Sequence, residues 1–153
     1  MTEYPSVSLD PVQRMRALAA ALPHAAYDEV VFDAPFDRVW GLAGDLEHGA
    51  PRFERGVRAA RILQREGDTL ELETVASFGM RMRFDVVLRP GWCIMRSRLV
   101  QIGMAAATEP DGRTRFAHFE QGRVAGRLLR PLYRANIAND FRRIAEIMRE
   151  PDR

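Results

Sequence analysis

Apolar positions recur at helical spacing at both ends of the chain and at strand spacing between them. Val12, Met15, Leu18 and Leu22 fall on one stripe while Gln13, Arg14 and Arg16 point elsewhere, which predicts a helix over residues 11–22. Asp10 and Pro11 suit its start, because the Asp side chain accepts from free N–H groups and Pro fits the first helical position. Residues 27–33, with Val30, Val31 and Phe32, read as a first strand. Pro35 then opens a short helix to residue 43, in which Phe36, Val39, Trp40 and Ala43 stand at i, i+3, i+4 and i+7. A second short helical turn follows over residues 46–53.

Between residues 56 and 124 the period changes to two. Turn signals at 66–68, 77–79, 90–91 and 110–112, with a further break near Val100 and Gln101, cut this stretch into six strands of an antiparallel meander. Met80, Met82, Phe84, Val86 and Leu88 alternate with Arg81, Arg83, Asp85 and Arg89, so one face of the sheet is apolar and the other wet. The last element is a helix over 128–149 with Leu129, Tyr133, Ile137, Phe141, Ile144 and Met148 along one face and Pro131 in its first turn. Twenty-odd helical residues span about 30 Å, enough to cross the whole apolar face. The expected organisation is an N-terminal helical extension, residues 1–25, and one α+β domain, residues 26–150.

Strand parity also places polar groups. If Arg115 and Gln121 face water, Thr114, Phe116, His118 and Glu120 share the inner face. On the last helix Asn136 and Asp140 flank the Tyr133, Ile137, Phe141 stripe. His118, Glu120, Asn136 and Asp140 can therefore meet between sheet and helix, where a histidine beside carboxylates is held in one tautomer and suits general acid–base work. The structural alternative is a hydrogen-bonded core histidine. On the neighbouring strands the inner parity takes in Cys93, Met95, Ser97 and Leu99. Whether such side chains line a hollow or fill a solid core is beyond what periodicity distinguishes.

Composition narrows the function classes. The chain has 153 residues, 46% apolar and 29% charged, ample for a buried core. No run approaches the ~18 apolar residues of a membrane span. The apolar run at 17–22 is shorter than the ~7–15 residues of a secretion signal's core, so a cytoplasmic protein with no stable membrane insertion is expected. All 23 cations are arginine against 21 acidic residues. The nearest approach to a basic cluster is Arg55, Arg58, Arg61 and Arg65, bracketed by Glu54 and Glu66, which reads as a solvated strand face rather than a nucleic-acid surface. A lone Cys93 and the scattered His24, His48 and His118 suggest no disulfide, metal site or cofactor. Phosphate-binding, nucleophile-elbow and zinc-protease motifs are absent from the sequence.

The order strand, two short helices, six strands, long helix resembles the START-like superfamily, also called SRPBCC, of the birch-pollen allergen relatives and polyketide cyclase/dehydrase proteins. The likeness runs from about residue 27 to 150 and is carried by Val31-Phe32-Asp33-Ala34-Pro35-Phe36-Asp37-Arg38-Val39-Trp40, Asp45-Leu46-Glu47, Gly112-Arg113-Thr114-Arg115-Phe116 and Phe141-Arg142-Arg143-Ile144. It implies a helix-grip fold: a curved seven-stranded antiparallel sheet wrapped around the C-terminal helix, with a cavity for a hydrophobic small molecule between them. Phe53, Met82, Phe84, Leu88, Met95, Ser97, Phe116, Tyr133, Asn136 and Ile137 are its expected wall. In polyketide aromatase/cyclases of this superfamily a tyrosine after the second short helix and a late arginine of the central strand accompany activity. Gly56 and Leu88 stand there instead. The expected function is binding of a polyketide-, isoprenoid- or lipid-like molecule. The alternative is a cyclase/dehydrase-type enzyme with His118 as general acid/base, oriented by Asp140 or Glu120. The N-terminal helix has three placements open to it: over the cavity mouth, on the outer face of the sheet, or in a homodimer interface.

Overall fold

The computed structural model describes residues 3–151. Its order is α1 (Pro11–Ala21), β1 (Ala26–Phe32), α2 (Phe36–Ala43), α3 (Ala50–Phe53), β2 (Val57–Glu66), β3 (Thr69–Ala76), β4 (Arg81–Arg89), β5 (Trp92–Arg96), β6 (Val100–Thr108), β7 (Thr114–Gly122) and α4 (Gly126–Arg149). All seven strands form one antiparallel sheet in the order β1-β7-β6-β5-β4-β3-β2. Strands β2 to β7 are the meander, and β1 adds beside β7 with Asp28 opposite His118. Register shifts between Val57 and Ala59 and between Ile62 and Gln64 interrupt the β2–β3 ladder, and such irregularities bend a sheet edge.

Several boundaries differ from the sequence pattern, among them the start of the second short helix, at residue 50 rather than 46. The break between β5 and β6 lies at residues 97–99, where the Ser97 hydroxyl donates to the Val100 carbonyl and accepts from the Leu99 and Val100 amides. A serine closing its own turn outweighs the apolar alternation that carried the strand further. Helix α4 begins at Gly126, after Ala125 in the left-handed region, so Pro131 sits in its second turn rather than its first.

The inner face carries the main core with α2, α3 and the C-terminal half of α4. Phe32, Phe116 and Phe141 meet pairwise with ring centroids 5.8–6.2 Å apart, joining β1, β7 and α4. Ile144, Ile147 and Met148 continue this solid packing toward α2. The outer face divides in two. Over β2–β4 it is wet, with Arg81 on Glu73 and Arg83 on Glu71 at 3.0 Å, and Arg61 exposed beside Glu73. Over β6, β7 and β1 it is covered by α1.

Helix α1 therefore takes the second of its three placements. Its Asp10–Gln13 capping box holds the first turn, and Val12, Met15 and Ala19 are buried against Ala105, Ala107, Ala117 and Phe119. Arg115 bonds Asp10 at 2.7 Å, and a bidentate Arg16–Glu29 pair joins the helix to β1. This cover corrects the expectation that Gln121 faces water. It is buried, donating its side-chain amide to the Pro23 carbonyl at 3.0 Å. Strand alternation tells inner from outer but not what lies on the outer side.

Gly103 is where the cover comes closest. A Cβ there would stand 2.1 Å from the Phe119 ring and 2.7 Å from the Met15 sulfur. Gly103→Ala is accordingly expected to cost about 1–3 kcal/mol through overpacking. A denaturant midpoint equal to wild type would contradict the close approach. Met15→Ala, which empties a fully buried site, should cost about 2–5 kcal/mol. The exposed Arg14→Ala should leave the midpoint unmoved, and equal effects of the two would show that α1 contributes no packing.

Candidate functional site

Strand β7 and helix α4 run past one another in opposite directions, and their facing residues change character along the seam. Phe116 meets Phe141 edge to face, His118 meets Asp140, Glu120 meets Asn136, and Gly122 lies under Tyr133. From rung to rung the strand advances two residues each time while the helix advances one, four and three, so the two elements cross at an angle rather than running in step. Packing is solid at the phenylalanine end and opens past Asp140.

There a cavity of about 620 Å³ lies between the inner face of the sheet and the N-terminal half of α4. Met82, Phe84, Met95 and Ile102 form its sheet wall, and Leu129, Leu132 and Tyr133 its helix wall. Phe78, Met80, Leu99 and Val124, all substantially exposed, stand at its rim. At its inner end are Asn136, Asp140, Glu120 and Glu54.

His118 is fully buried directly behind those carboxylates. Its Nδ1 lies 2.9 Å from the Gly103 carbonyl oxygen, which can only accept, so Nδ1 carries a hydrogen. Its Nε2 lies 3.2 Å from Asp140 Oδ2 and 3.6 Å from Glu120 Oε1. Glu120 is steadied by Asn136 Nδ2 donating to its other oxygen at 3.3 Å. Burial alone would lower the imidazole pKa, but the bond to Asp140 and the charges of Glu120 and Asp140 outweigh it and raise it to about 9. For Glu120 burial dominates and pushes the carboxyl up to about 7, against the pull of His118. Glu54 is raised to about 8, first by burial and then by the Asp140 charge. Its Oε1 is buried without a hydrogen-bond partner.

Of the residues predicted as wall, Met82, Phe84, Met95, Tyr133 and Asn136 stand on the cavity surface, as do Glu120 and Asp140 of the predicted acid–base group. Phe53, Phe116 and Ile137 do not. They are buried in the solid half, because the helix stripe that aims Ile137 and Phe141 inward continues past the point where the hollow ends. Leu88 packs against the core edge at the far end of β4, and the Ser97 hydroxyl is consumed by its turn. His118 backs the wall rather than forming it.

Glu54 went unrecognised. Its place in the sequence brackets an arginine cluster that faces solvent, yet the four-residue α3 ends at Phe53 and turns the next side chain inward. A helix of one turn offers no periodicity from which that direction can be read.

No protein-family model matches the chain, and no curated protein matches it in sequence. Solved structures do. The aromatase/cyclase ZhuI from Streptomyces sp. R1128 superposes with a TM-score of 0.65 at 16% identity, covering 81% of this chain and 92% of its own. A START superfamily protein from Mycobacterium smegmatis gives 0.63 at 12%, over 81% and 96%. Protein MLL2253 from Mesorhizobium loti gives 0.67 at 13%, over 84% and 99%. At these identities what is shared is the fold: the chain has the START-like, polyketide cyclase-like helix-grip architecture.

Proposed function

We propose that the protein binds a hydrophobic small molecule, of polyketide-, isoprenoid- or lipid-like character, in the cavity under α4. The observation that carries this reading is the hollow itself. Its 620 Å³ falls within the roughly 300–1,000 Å³ of small-molecule sites, and its long apolar walls with polar groups gathered at one end match how such sites combine affinity with orientation. At about 25 cal/mol per Å² of apolar area removed from water, burying a few hundred Å² supplies several kcal/mol before ordering costs. A ligand with an apolar body and one polar end would place that end against Asn136, Glu120 and Asp140.

Binding is favoured over the cyclase/dehydrase reading by the position of His118. Its ring is sealed from the lumen, Nδ1 is held by a backbone carbonyl and Nε2 by Asp140, so it does not reach a substrate atom directly. Gly56 and Leu88 also stand where the aromatase/cyclase resemblance calls for tyrosine and arginine.

The neutral probe N-phenyl-1-naphthylamine should bind saturably with enhanced fluorescence. Met82→Trp, which projects bulk into the lumen, should weaken it at least about tenfold, a loss of some 1.4 kcal/mol, while leaving the far-UV circular dichroism unchanged. Native mass spectrometry of protein purified from its own host should detect a co-purified small molecule. Absence of saturable probe binding, or undiminished binding in the variant, would overturn the reading.

A further inference from the structure

We propose that His118, Glu120 and Asp140 bind a divalent transition-metal ion at the closed end of the cavity. One potential ligand atom from each residue lies within 4.8 Å of the others, and all three residues are buried. The two edges measured from His118 Nε2, 3.2 Å to Asp140 Oδ2 and 3.6 Å to Glu120 Oε1, bracket the ~3.4 Å separation of neighbouring ligand atoms in a tetrahedral site with bonds of ~2.1 Å.

The groups behind these atoms are arranged for the same purpose. Gly103 accepts from Nδ1–H and thereby turns Nε2, the coordinating nitrogen, toward the carboxylates. Asn136 occupies Glu120 Oε2 and leaves Oε1 facing the histidine. Backbone carbonyls and amides in these positions are how outer groups orient metal-binding imidazoles and carboxylates.

Glu54 supplies a separate observation. Its buried Oε1 lacks any hydrogen-bond partner, and it lies within electrostatic reach of Asp140, His118 and Glu120. Three carboxyl groups are gathered around one imidazole, and a dication can take oxygen ligands from them. One imidazole nitrogen with carboxylate oxygens is a donor set for zinc or manganese rather than for the soft-ligand metals. Glu120, Asp140 and Glu54 line the cavity, which gives the ion its entry path and leaves a coordination position facing the ligand space.

Chelator-treated full-length protein is titrated calorimetrically with zinc chloride, and retained zinc is counted by atomic emission after desalting. One zinc per chain is expected, with a Kd of about 1 μM or tighter. His118→Gln and Glu120→Gln should each weaken binding by more than about tenfold. His48→Ala, which removes the exposed His48–Asp45 pair, should leave it unchanged. Cobalt substituted for zinc should give visible d–d bands that disappear in His118→Gln. Circular dichroism establishes that the variants are folded, and Glu120→Gln alone decides the matter if the histidine variant is not. Failure of the wild type to bind stoichiometric zinc, or retention by both variants, overturns the proposal, as does loss only in His48→Ala. A site where a proton alone bridges Nε2 and Asp140 would give the first of these results.

Discussion

The seam between β7 and α4 is the constraint from which the remaining architecture follows. Phe116–Phe141, His118–Asp140, Glu120–Asn136 and Gly122–Tyr133 form a ladder whose rungs pass from apolar packing through a buried charged pair to a hydrogen bond and then to a glycine under an aromatic ring. Buried polar groups must find partners, and a charged pair tolerates little displacement. The His118–Asp140 rung therefore sets the height of the helix above the sheet. On one side of that rung the large rings of Phe32, Phe116 and Phe141 fill the space so fixed. On the other, the helix closes on the strand again at Gly122, against Tyr133 and Gly126, and the hollow lies to the side of that contact, over β3 to β6.

This explains why a cavity coexists with a well-packed domain. The C-terminal half of α4, through Ile144, Ile147 and Met148, anchors on α2 and the sheet, so the N-terminal half can bridge open space without the fold depending on it. Leu128 and Leu132 are left exposed, as are the rim residues Phe78 and Leu99. The stability of the protein and its capacity for a guest reside in different halves of one helix.

Periodicity made the frame of this site legible. The inner parity of Thr114, Phe116, His118 and Glu120 follows from strand alternation, and Asn136 and Asp140 sit one turn apart beside the helix stripe, so their meeting required only that helix and sheet face one another. Where the hollow stops was not legible, because Ile137 and Tyr133 occupy the same stripe and only the facing strand residue decides which meets a wall and which meets space. Glu54 was misplaced because a one-turn helix has no phase. Gln121 was misplaced because alternation is blind to a cover supplied from another part of the chain.

That cover changes what the N-terminal helix is for. Strand β7 is buried on both sides, by α4 within and α1 without, and β6 beside it narrows to Gly103 where the Phe119 ring and the Met15 sulfur press against the backbone. The carbonyl of that same glycine holds Nδ1 of His118. A residue with any side chain at 103 would push β6 away from the outer packing, and the carbonyl that selects the histidine tautomer would move with it. Outer cover and inner site thus share one peptide unit: α1, which the sequence pattern sets apart as an extension, is mechanically part of the wall that orients His118 toward Asp140.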